Sequence, residues 1–238
     1  MKGPFDPNAK PRADMIVLCG LDGSGKSTQT ALLAERLAAA GIPAEAVWNR
    51  WEPRVSAPLI RFAKRRLRSS SGAGAEDYAA FRDAKRRTMK GGLKRSLWQI
   101  LVWSEYSWEV RGRLAPPRRR GAAVICDRYV HDTLIDIAIN FSAPPPALAG
   151  LMSHPLLALF PKPSLAIVVD IDPETGAARK SDGTPPAYLA DRREYYVELA
   201  RILNAPVVDG GRPVETVFDE VWARTASWRA ERERGKAR

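Results

Sequence analysis

Residues Met15–Thr30 read MIVLCGLDGSGKSTQT: a short apolar run, three glycines within six positions, then Lys26-Ser27-Thr28. The run Met15–Cys19 has strand length and no polar alternation, the pattern of a parallel strand buried on both faces. Behind it, Gly20-x-x-x-x-Gly25-Lys26-Ser27 satisfies the phosphate-loop pattern at every fixed position. Gly20, Gly23 and Gly25 let the backbone curl until successive N–H groups converge on phosphate oxygens. The helix that follows adds its positive N-terminal end. Lys26 reaches toward the β- and γ-phosphates, and the Ser27 hydroxyl is a ligand for Mg²⁺. Gly20, Gly23, Ser24, Gly25, Lys26, Ser27 and Thr28 are therefore the expected nucleoside triphosphate site.

Outward from this loop, strands and helices alternate. KSTQTALLAERLAAAG has helical spacing through Leu32, Leu33 and Leu37 and stops at Gly41. Further short strands are expected at Pro43–Trp48, Ala122–Cys126, Leu165–Asp170 and Ala205–Asp209. Helices are expected at Pro58–Arg68, Glu76–Lys90, Leu93–Leu114, His131–Phe141, Ala187–Leu203 and Pro213–Ala230. The pattern predicts an α/β fold of the P-loop NTPase kind, with right-handed crossovers, a mostly parallel sheet and ligands at the carboxyl ends of the strands. One kinase-sized domain spans 15–230, after an N-terminal extension (1–14) and before a charged tail (231–238). A polar stretch at about 176–190 reads as a short lid.

The formal net charge is +11, from 38 Lys and Arg against 27 Asp and Glu. It is concentrated between Arg61 and Arg95, where twelve Lys or Arg face only Glu76, Asp77 and Asp83. Such a block is either a contact surface for a polyanion or a solvated face. Cys19 and Cys126 cannot build a disulfide framework and read as small buried residues on neighbouring strands at similar heights. The first residues carry no apolar core of a secretory signal, and no run approaches a membrane span. A soluble, cytoplasmic protein is expected.

Asp127-Arg128-Tyr129 follows the strand at Ala122–Cys126. A carboxylate at that tip faces the Mg²⁺ region of a phosphate-loop fold, and an arginine there can clamp phosphate bidentately. The alternative is an ordinary Asp–Arg pair in a surface turn.

GLDGSGKSTQ, VICDRY, LAIVVDIDPETG and YYVELARIL stand in the order and spacing of thymidylate kinases, and over roughly Met15–Ala223 the chain resembles that family of nucleoside monophosphate kinases. The resemblance implies a five-stranded parallel sheet in a three-layer α/β/α arrangement, ATP with Mg²⁺ as donor, and a monophosphate acceptor. It makes Asp22 the loop carboxylate near the transfer site, places Asp127 near the metal and has Arg128 grip the acceptor phosphate. Related kinases are often homodimers.

The departures gather at the acceptor pocket. Where the family commonly has an Arg-Glu-Pro-Gly-Gly-Thr segment, this chain has Trp48-Asn49-Arg50-Trp51-Glu52-Pro53-Arg54. Arg50 is the better match for the acceptor phosphate and Arg54 the second. Trp103 and Ser107 fall where the family carries a base-stacking Phe and a base-bonding Arg; Trp103 is either a stacking platform or core. Asp132 and Asp136 share a helical face, placed for sugar hydroxyls, an amino group or the basic block. Arg179, Lys180, Arg192 and Arg193 are the candidates for neutralising charge on the transferring phosphoryl, Arg179 first. His131 and His154 lack metal-ligand spacing. The expected function is phosphoryl transfer from ATP to a nucleoside monophosphate, dTMP first. The alternatives are a kinase of the same fold acting on another anionic acceptor (another nucleotide, a nucleic-acid end, a phosphorylated glycan or lipid) and a nucleotide-dependent binding switch.

Overall fold

The computed structural model describes residues 14–50, 92–180 and 184–236. The expected helices at 58–68 and 76–90, Arg54 and most of the basic block Arg61–Arg95 lie outside the described residues.

Five strands form one parallel sheet: β1 (Met15–Gly20), β2 (Ala44–Trp48), β3 (Ala123–Asp127), β4 (Leu165–Asp170) and β5 (Val207–Asp209), in the spatial order β2-β3-β1-β4-β5. The register sets Leu18 beside Asp127 and Ile167, and Trp48 beside Asp127, so the strand tips align along one edge of the sheet. The helices are α1 (Lys26–Ala39), α2 (Gly92–Arg119), α3 (Val130–Asn140), α4 (Leu148–Met152), α5 (Pro173–Ala178), α6 (Pro186–Leu203) and α7 (Val214–Lys236).

All six residues of β1 are buried, because both faces of the sheet are covered. On one face Met15, Val17, Cys19 and Val124 pack with Tyr106 and Val110 of α2, Leu134 and Ile135 of α3, and Tyr196 and Leu199 of α6. On the other, Ile16, Leu18, Ile125 and Val169 pack with Leu33 and Leu37 of α1 and Val217 and Val221 of α7. Fully burying each such side chain stabilises by about 1.5–3 kcal/mol, and the unbroken apolar strands follow from it. The result is the three-layer α/β/α fold.

The structure departs from the sequence reading in several places, the short helices α4 and α5 among them. Cys126 pairs with Val17, so Cys19 sits two residues beyond it rather than level, although both are buried on the same face. The helix expected to end at Leu114 continues through Pro116 and Pro117 to Arg119. Each proline withdraws its own N–H from the ladder and crowds the carbonyl four residues back, which is tolerated in this last stretch, where the turn closes on Pro116 and Pro117 as acceptors before Gly121 ends it at φ 80°. The last helix, expected to end at Ala230, runs to Lys236. Arg229 and Arg232 from its final turns both bond Asp14 at the entry to β1, which ties that end down.

Candidate active site

The loop after β1 packs its backbone against the neighbouring α5. A Cβ at Gly23 would lie 2.3 Å from the Gly176 carbonyl oxygen, and φ is +82° there, so only glycine fits. Gly25 caps α1 at φ +86° with nothing within 4 Å of where a Cβ would stand, which leaves its cleft side open. The N-terminal turn of α1 thus points its free N–H groups into a cleft of about 370 Å³ at the strand tips.

Asp22, Gly23, Gly25, Lys26, Ser27, Thr28, Trp48, Arg50, Asp127, Arg128, Arg179 and Lys180 line this cleft. Five side chains are basic and two acidic, so the cleft suits a polyanion. Lys26 is buried, and its ammonium donates to Leu21 O and to Ser24 Oγ, the latter at 3.3 Å. Burial holds that ammonium below the usual lysine range, with Asp132 and Asp127 pulling it partly back. The Ser27 hydroxyl donates to Asp127 Oδ2. Asp127 Oδ1 is buried with no hydrogen-bond partner, and burial raises the carboxyl above the usual range while Ser27 and Lys26 oppose the shift. A buried, unpartnered carboxylate oxygen beside a serine hydroxyl is a donor set that suits Mg²⁺.

Arg128 sits in the left-handed region at φ 67°, a conformation costing about 1–2 kcal/mol for a non-glycine residue. Its guanidinium is shared between two carboxylates, contacting Asp22 Oδ1 and lying 3.5 Å from Asp132 Oδ1. Lys180 Nζ approaches Asp22 Oδ2 at 3.3 Å, so Asp22 bridges two cations across the cleft. Arg179 donates to the carbonyls of Gly23 (3.4 Å), Gly210 (2.8 Å) and Gly211 (3.4 Å), joining the glycine loop to the exit of β5.

Two expected acceptor residues lie away from the cleft. Asp132 is buried behind Arg128, and its oxygens accept from Tyr129 N (3.0 Å) and the Tyr196 hydroxyl (2.7 Å). It shapes the start of α3 and backs Arg128. Trp103 is 8% exposed and packs edge-on to Phe160 at 5.6 Å, beside a separate apolar pocket of about 50 Å³. Ser107 donates to Leu159 O at 3.1 Å. Among the four candidate cations, Arg192 pairs with Asp136 at 2.5 Å and Arg193 with Asp170 at 2.6 Å, leaving Arg179 and Lys180 on the cleft wall.

Trp48 is the cleft residue the sequence reading missed. It stands two positions before Arg50 at the tip of a predicted strand, but its exposure at that tip is a tertiary fact. The β2 exit is held from α2: Arg113 donates to Trp48 O (3.3 Å) and Arg50 O (3.1 Å), and Tyr106 to Asn49 O (3.1 Å).

No family model matches the chain. It is 30% identical to a probable thymidylate kinase of Pyrobaculum aerophilum over 213 residues, which cover 87% of this chain and 93% of that one. It is 29% identical over 219 residues to the thymidylate kinase of Thermomicrobium roseum, covering 87% and 92%, and 28% identical over 211 residues to that of Symbiobacterium thermophilum, covering 85% and 87%. The solved thymidylate kinase of Candida albicans shares the fold, with a TM-score of 0.57, 20% identity, and coverage of 91% of this chain and 92% of that one.

Proposed function

Because the chain belongs to the thymidylate kinase family, we propose that it transfers the γ-phosphoryl group of ATP to dTMP, giving ADP and dTDP. The observation that carries this reading is the cleft itself, which gathers the glycine loop, Lys26, the Ser27–Asp127 pair and the cations Arg50, Arg128, Arg179 and Lys180 around one space.

The donor's β- and γ-phosphates lie on the loop Gly20–Gly25 and the first turn of α1, where Lys26 exchanges Leu21 O for phosphate oxygen. Ser24 belongs to the same loop and Thr28 to that first turn. Ser27 and Asp127 would hold one Mg²⁺, which when bound neutralises phosphate charge. Arg50 and Arg128 receive the acceptor monophosphate, a bidentate task suited to guanidinium. An acceptor phosphate oxygen attacks the γ-phosphorus in line: the new O–P bond forms as the bond to the β–γ bridging oxygen breaks, and the electron pair leaves with ADP. The acceptor is already anionic, so no strong base is required and positioning supplies most of the effect. Asp22, held between Arg128 and Lys180, keeps both cations at the transfer point. Arg179 neutralises the transferring group when the carbonyls of Gly23 and Gly210 release it.

No described helix is long and apolar enough to cross a membrane. Cytoplasmic residence and a homodimer belong to the same proposal and rest on family membership. A polyanion contact through Arg61–Arg95 rests on sequence charge alone.

The test is ADP release with ATP, Mg²⁺ and each of dTMP, dUMP, UMP, CMP, AMP and GMP. dTMP should stimulate most, and Lys26→Ala should lower turnover at least about a hundredfold. Tight ATP binding without stimulation by any monophosphate would refute the reading.

A further inference from the structure

Resting on that reading, we propose that Trp48 is the aromatic platform on which the acceptor's base stacks. Trp48 is the one aromatic among the described residues lining the cleft, and 45% of it is exposed. The Trp103 ring is in contact with Phe160 within the core and lines no part of this space. An indole left half in water at the tip of a strand wall is unfavourable unless something covers it, and every nucleobase has a π-face that can.

The surroundings fix the ring in place. Arg113 and Tyr106 bond three consecutive carbonyls, Trp48 O, Asn49 O and Arg50 O, which leaves the β2 exit little freedom. Glu109 anchors Arg113 at 2.6 Å, and the Arg113 guanidinium lies over the Trp48 ring 6.0 Å from its centroid. The Asn49 side chain turns inward and bonds Cys126 Sγ at 3.2 Å. A ring pre-organised in this way loses little entropy when a base docks on it.

The topology says which base. β2 and β5 are the two edges of the sheet, with the glycine loop at its centre. Two nucleotides meeting phosphate to phosphate over that loop carry their bases toward opposite ends of the cleft. The β5 end holds Arg179 on the Gly210 and Gly211 carbonyls. The β2 end holds Trp48, paired in register with Asp127 and two residues from Arg50. The base belonging to the phosphate at Arg50 and Arg128 therefore meets Trp48. Stacking tolerates any base, so Trp48 supplies affinity for nucleoside monophosphates as a class and does not itself choose thymine.

Calorimetric titration of the full chain tests this with dTMP, base-free 2-deoxyribose 5-phosphate and a non-hydrolysable ATP analogue. Trp48→Ala should weaken dTMP on the order of tenfold or more, while Trp48→Phe keeps most of the affinity. The sugar phosphate and the ATP analogue should bind wild type and Trp48→Ala within about twofold, a split that a purely structural loss would not produce. Unchanged dTMP affinity in Trp48→Ala, or a loss confined to the ATP analogue, overturns the assignment. Should Trp48→Ala not fold, 5-fluorotryptophan labelling of wild type decides: the ¹⁹F resonance missing from Trp48→Phe must move with dTMP, and a stationary signal overturns the proposal. A wild type that binds the ATP analogue but no monophosphate would instead remove the kinase reading beneath it.

Discussion

Protonation of His131 should destabilise this protein at mildly acidic pH by an amount that can be worked out. His131 occupies the second position of α3, is nearly fully buried, lies 3.9 Å from Cys19 Sγ through Nδ1, and meets the Tyr129 ring edge-on at 5.7 Å. Burial lowers its pKa from 6.5 to about 4, with the charge of Asp132 opposing in part. The positive end of α3 also disfavours an imidazolium there. The native state keeps the ring neutral over a range where the unfolded chain binds a proton, so stability rises with pH between 4 and 6.5. The contribution is fully present above 6.5 and is lost as pH falls through that window. At about 1.4 kcal/mol per unit, the full shift corresponds to about 3 kcal/mol, of which about 2.5 is lost between pH 7.5 and 4.5. Urea unfolding of wild type and His131→Gln at 25 °C and several pH values isolates this contribution. Carboxylates, including the raised Asp127, titrate in both proteins and cancel in the difference. Parallel pH profiles for the two proteins, or a native imidazole resonance titrating near 6.5, would refute the reasoning.

Arg128 offers a second test, because its φ of 67° penalises any residue with a Cβ. Arg128→Gly should be more stable than Arg128→Ala by about 1 kcal/mol, the reverse of a helical site, while both lose acceptor use; urea unfolding and acceptor KM measure the two. At Gly23, alanine would drive a Cβ to within 2.3 Å of Gly176 O, whereas at Gly25 it meets no atom within 4 Å. Gly23→Ala should therefore lower Tm more than Gly25→Ala, whose cost is about 1–2 kcal/mol of backbone conformation; equal losses would contradict the close packing of loop on α5.

The glycine-loop side of the cleft was legible in one dimension. Met15–Thr28 carries a buried strand, a loop and a helix start in contiguous residues, and each local signal points to the same structure. Asp127-Arg128 was legible because it ends a later, fully apolar run, Ala122–Cys126, and the register does set Asp127 beside Leu18. The four candidate cations were not separable, since Arg179, Lys180, Arg192 and Arg193 look alike until Asp136 and Asp170 are seen to engage the last two.

The sequence by itself determined the α/β order, the phosphate loop and the family, because local hydrophobic period and a contiguous motif encode them. The tertiary structure alone decided which aromatic meets the cleft. Trp48 and Trp103 both lie on elements with apolar neighbours, and nothing in period or spacing tells them apart. The difference arises from the far side of the fold: Phe160, distant in sequence, closes over Trp103, while β2 ends at the sheet edge and leaves Trp48 half uncovered. Asp132 was decided in the same way: Arg128 is its neighbour four residues back, but the Tyr196 hydroxyl reaches it only once α6 has packed against α3.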